Sequence, residues 1–200
     1  MKSSRLSSLT KPRRPRAASR LALCALLGGS LLCVPHASAL ALSQDGENAL
    51  SEGEIEKLRE AAPLYSDRVL IFAGFLDRRA LSILTLSTGR RRPGREEDIH
   101  DQMEQFTAIA ESLQDNLDDY DQRHRDVRKA LPKLLSAIDR WDTSIRTPPD
   151  HSAYNVSRRL ALEATGELRK DVTKMIEDQK AYFLAHPPTK EDEKKPERRG

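Results

Sequence analysis

From Ile99 to Ile145 one set of positions recurs at alternating steps of four and three: Ile99, Met103, Phe106, Ala110, Leu113, Leu117, Tyr120, His124, Val127, Leu131, Leu134, Ile138, Trp141 and Ile145. Only His124 is strongly polar. This heptad rhythm keeps one stripe of a helix against a partner helix, and it is incompatible with the two-residue period of a half-buried strand. It predicts an all-α protein, an elongated antiparallel three- or four-helix bundle with coiled-coil-like heptad packing. Aromatics make up 4% of the chain and charged residues 32%. That mix suits narrow apolar stripes on long helices better than a thick globular core.

The flanking segments read as partners for this stripe. Ser51-Glu52-Gly53-Glu54 is a capping box, in which Ser51 accepts the Glu54 amide and the Glu54 carboxylate reaches back. An apolar seam follows from Ile55 through Val69 to Ile83. Pro63 lies inside it and removes a helical hydrogen bond, so the first helix is kinked or split into Ser51–Ala62 and Asp67–Ser87, with Ser66 as a new cap. Gly89 stops it, Pro93-Gly94 turns the chain, and Glu96, Glu97 and Asp98 favour the positive end of the next helix. That helix meets Pro132. The seam holds its phase there and no Gly or Asn stands near to build a reversal, so a kink near Arg128–Pro132 is expected, with a break as the four-helix alternative. A third helix, capped by Asp150 or Ser152, runs to about Ala185 and counts Val156 and Leu160 in its apolar set. Two shorter helices covering a long one from opposite ends leave Ile99–Phe106 and Ile138–Ile145 uncovered. Those ends would invite a protein partner or homo-oligomer.

The chain termini read differently. Residues 1–39 hold seven of the 34 Lys and Arg and none of the 31 Asp and Glu. A basic start, an apolar run from Leu21 to Val34 and Ala37-Ser38-Ala39 form the layout of a signal peptide, and the run is short for a membrane span. Cleavage after Ala39 gives a periplasmic or secreted product; retention of Leu21–Leu42 gives a membrane anchor. Residues 40–50 are a linker, 51–186 the helical domain, and 187–200 a charged disordered tail. Beyond residue 39 the balance is net acidic by four, which excludes the basic footprint of a nucleic-acid binder. Both cysteines, Cys24 and Cys33, fall within the signal, so the remainder has no disulfide, thiolate ligand or cysteine nucleophile.

No catalytic or cofactor motif is present, and the domain is expected to be non-enzymatic. The metal candidates are two Asp/Glu-x-x-His pairs, Glu97 with His100 and Asp121 with His124, each placing a carboxylate and an imidazole on one helical face. They stand about 36 Å apart on a straight helix and cannot share a cluster there. His124, as a seam residue, is expected to be buried and to fix helix register, with its protonation loosening the packing. Asp115, Asp118, Asp119 and Asp121 read as a solvated acidic face. Arg90, Arg91, Arg92 and Arg95, with Arg78 and Arg79 nearby, form a basic patch suited to an anionic membrane or envelope polymer.

Overall fold

A computed structural model describes residues 49–187. The expected signal, most of the expected linker and nearly all of the expected tail lie outside the described residues. Within them the chain is all-helical: α1 (Glu52–Glu60), α2 (Tyr65–Thr88), α3 (Arg95–Gln122), α4 (Leu131–Arg146) and α5 (Asn155–Ala185).

The capping box at Ser51 forms as expected, with the Glu54 amide on Ser51 Oγ and the Ser51 amide on Glu54 Oε2. The chain is split at Pro63 rather than kinked. Ser66 is not the new cap: α2 starts after Leu64, and the Ser66 hydroxyl donates to the Asp126 carbonyl at 3.3 Å. α1 then lies on α2 under two arginine clasps. Arg79 donates to both oxygens of Glu54, at 2.7 and 2.9 Å, and Arg78 adds a third bond at 2.6 Å. Arg68, 4% exposed, donates to the Leu58 carbonyl near the C-terminal end of α1 and, at 3.0 Å, to Asn116 of α3. That carbonyl needs a partner, because the amide four residues on, Ala62, bonds Arg59 instead.

At Gly94 φ is +78°, a left-handed turn that glycine makes without a Cβ penalty, and the acidic first turn of α3 follows. The seam is buried at every position from Ile99 to Tyr120 and from Val127 to Ile145. The expected uncovered ends are therefore corrected: Ile99, Met103, Phe106, Ile138 and Ile145 are wholly buried and Trp141 is 1% exposed.

The reason lies in where the long helix ends. The long helix is not kinked at Pro132; it ends ten residues earlier, at Gln122. Arg125 N–H bonds the Tyr120 carbonyl at 2.8 Å and His124 N–H bonds that of Asp121 at 3.1 Å. These are the two bonds of a Schellman stop, with His124 in the left-handed position at φ +52° where glycine is usual. Residues 123–130 then reverse the chain. The Gln179 side chain of α5 pins them, accepting from the Val127 amide at 3.2 Å and donating to the Arg125 carbonyl at 2.8 Å. Pro132 sits in the first turn of α4, where its missing N–H costs nothing.

With that reversal, α2 packs on α3 and α4, and α5 packs on α3 and α4. Tyr65 meets Tyr120 and Arg68 meets Asn116, so α2 and α3 run in opposite directions. His100 meets Ser157 and Gln114 meets Asp171, so α3 and α5 run in the same direction. Phe106 and Trp141 pack edge to face at 5.7 Å across the core. α5 starts later than expected: neither Asp150 nor Ser152 caps it, and Asp150 pairs with Arg158 instead. Val156 and Leu160 fall on its solvent face, 63% and 42% exposed.

Candidate functional site

The ten residues Ala80–Gly89 carry no charge, the longest such run between residues 49 and 187. Its inner residues, Ala80 and Ile83, are core. Its outer residues form one wall of a groove of about 620 Å³ between α2 and α4, lined by Asp77, Ala80, Leu81 and Leu84 on one side and by Asp139 to Trp141, Thr143 and Ser144 on the other. Leu81 is 61% exposed. The buried Trp141 anchors the α4 side. Its indole N–H donates to Asp77 Oδ1 at 2.7 Å, and Arg140 reaches the same carboxylate at 3.2 Å.

The hydroxyls around this groove make no demand on solvent. Thr85 donates to the Leu81 carbonyl and Thr88 to that of Leu84, both at 2.8 Å. Thr143, Ser144 and Thr147 do the same on α4. What remains on the surface is leucine and threonine methyl, next to two neutralised ion pairs, Asp77–Arg140 and Asp139–Arg169. Reading the sequence for charges and metal ligands overlooked this place; the signal that marks it is the charge-free run itself.

The four loop arginines divide. Arg95 is 6% exposed and pairs with Glu96 at 2.8 Å; Arg92 pairs with Asp98. Arg90 and Arg91 are exposed and make no ion pair among the described residues. Arg78 and Arg79 belong to the Glu54 clasp rather than to this loop.

The metal candidates are not brought together into a site. Glu97 is exposed. His100 is half-buried, its Nδ1 3.1 Å from Ser157 Oγ and its Nε2 3.2 Å from Glu104. His124 is exposed, not buried, because the turn lifts it off the seam; its ring stacks on Tyr182 at 4.0 Å, and His186 stacks on Tyr182 at 4.5 Å. Asp121 and His124 border a shallow pocket of about 290 Å³ with Asp178 and Phe183. Among the described residues no three His, Cys, Asp or Glu are arranged to hold a metal ion. The acidic face extends onto α5. Burial and the charges of Asp171, Asp115 and Asp121 raise the Asp118 carboxyl above its ordinary range.

No protein-family model, curated protein or solved structure matches this chain.

Proposed function

We propose that the chain is an exported, non-enzymatic helical bundle, antiparallel in chain order and packed by coiled-coil-like heptads, that binds protein through the groove between α2 and α4. The observation that carries this reading is Leu81, largely exposed beside Leu84 on a charge-free helix face. A groove between two helices, with an apolar wall and hydroxyls already bonded, suits the uncharged stripe of a third helix. Its polar groups are committed to internal bonds, so it offers binding surface rather than a nucleophile beside a base. The basic, apolar and small-x-small order of residues 1–39 supports export, and among the described residues no helix is long and apolar enough to cross a membrane. Capture from native envelope with wild-type and Leu81→Arg bait tests the reading: a partner lost with the variant supports it, and identical captures refute it. Mass analysis of the mature protein tests cleavage, with Leu40 as the expected first residue.

The guanidiniums of Arg90 and Arg91, exposed and without an ion pair among the described residues, favour a second reading, contact with an anionic membrane or envelope polymer. Flotation with vesicles rich in anionic lipid, lost in the Arg90→Glu, Arg91→Glu variant, would support it; no dependence on anionic lipid would remove it.

A further inference from the structure

We infer that the occupant of the α2–α4 groove is a second copy of this chain, related by a two-fold axis passing near Leu84. The inference rests on the interaction reading above and deepens it. In a two-fold contact each residue near the axis meets its own mate, so any charge there meets a like charge. A face that pairs with itself must therefore be neutral at its centre and complementary at its ends. This face satisfies both conditions in a chain of which 32% is charged.

The centre is Leu81, Leu84, Thr85 and Thr88, with Thr143 and Ser144 across the groove. None carries charge, and the four hydroxyls are bonded to carbonyls of their own helices. Covering them strands no polar group.

The ends are complementary. Leu84 stands seven residues after Asp77 and seven before Arg91. Antiparallel packing of α2 on its mate about Leu84 sets Arg90 and Arg91 of one copy toward Asp77 and Asp139 of the other. Those arginines have no ion-pair partner within the described chain, and each carboxylate, though already bonded to Arg140 or Arg169, keeps an exposed side that can take a second guanidinium. The same operation repeats the pairing at the opposite end. With the axis at Leu84, residues 84–91 of each copy lie along the groove of the other, and Leu81 stands opposite Ser87 of the mate.

The face runs from Asp77 to Thr88, about 17 Å of helix, and is about two helices wide. That places the contact at the low end of specific interfaces, so association in the micromolar range is expected.

Sedimentation velocity of the full-length chain, with Cys24→Ser and Cys33→Ser, tests this between ~1 and ~200 µM. The expected result is a monomer–dimer equilibrium. Leu81→Arg should weaken it at least tenfold, and Arg90→Glu with Arg91→Glu severalfold, more strongly at low salt. Leu81 is exposed, so the arginine leaves the monomer folded, as circular dichroism should show. Independently, Thr85→Cys should be joined by a short bismaleimide, whereas Lys170→Cys on α5 should not. A monomer throughout the range overturns the inference, as does a dimer indifferent to Leu81→Arg. A monomer leaves the wider interaction reading standing, because that reading falls only if capture from envelope ignores the same substitution.

Discussion

The carboxylate of Glu54 and the guanidinium of Arg79 meet through two parallel hydrogen bonds, at 2.7 and 2.9 Å. Burial alone would raise the Glu54 pKa. The bonds from Arg79, the Ser51 amide and Arg78 outweigh it and bring the pKa down to about 2. A carboxylate whose pKa is lower in the folded state stabilises the fold above its unfolded value and loses that contribution as pH falls through the folded one. The clasp should therefore hold α1 fully above pH 4.5 and release it between there and about 2. Glu54→Gln should cost about 2 kcal/mol at neutral pH, once solvent screening is allowed for. Hydrogen exchange of α1 amides against pH measures both. Protection that stays constant down to pH 2 in the wild type would contradict the assignment.

His124 holds the left-handed position of the α3 stop, where most side chains cost about 1–2 kcal/mol. A continuous seam helix would gain from His124→Leu, because the position would be core. The reversal predicts the opposite: His124→Leu loses about 1 kcal/mol, and His124→Val more, while His124→Asn stays within about 0.5 kcal/mol. Urea midpoints of the three variants separate the two outcomes, and a stabilised Leu variant would exclude the turn.

Pro132 gives an independent check on the same feature. In the interior of a helix its replacement by alanine would restore a hydrogen bond and return about 3 kcal/mol. In the first turn of α4 there is no bond to restore, so Pro132→Ala should change stability by less than about 0.5 kcal/mol. A large gain on thermal unfolding would place the proline back inside a helix.

Burial of the middle of the seam was legible in the sequence; burial of its ends, the exposure of His124 and the change of direction were not. The reversal keeps heptad phase because Val127, inside the loop, is buried like its helical neighbours and its amide is satisfied by Gln179 rather than by the helix. The stop also uses a histidine where residue type points to glycine or asparagine. Once the chain reverses, Arg125 leaves the face of α3 and covers the Tyr65 ring at 4.9 Å. The uncovered seam ends vanish for the same reason, since α4 folds back and shields them. The groove was readable in another form: ten uncharged residues in so charged a chain are more than two stripes of core require.

The acidic face yields a prediction of opposite sign to that at Glu54. Asp118 is held above its ordinary pKa by burial and by Asp171, Asp115 and Asp121, so its ionised form opposes folding. Protonation relieves this as pH falls, and Asp118→Asn should relieve it at every pH. The residue is exposed, so the expected gain is a few tenths of a kcal/mol. The gain in urea midpoint should shrink as pH falls through the raised folded pKa and be absent below the ordinary value of 3.8, where the carboxyl is protonated folded and unfolded alike. A gain that is unchanged at pH 3 would show that charge is not its cause.

Asp77 joins the groove to the core, because one carboxylate oxygen takes the Trp141 indole N–H at 2.7 Å and the Arg140 guanidinium at 3.2 Å. Trp141 is 1% exposed, so while Asp77 is in place its N–H is held away from water. Asp77→Ala removes that bond and admits water in its place, so it should cost about 1 kcal/mol, while Asp77→Asn, which keeps an acceptor, should cost less than half as much. Trp141 is the only tryptophan, so its fluorescence reports the site without labelling. The Ala variant should lower the urea midpoint and shift the emission maximum, as the indole loses a charged neighbour. Equal midpoints for Ala and Asn would mean that the Arg140 ion pair, rather than the indole bond, supplies the stabilisation.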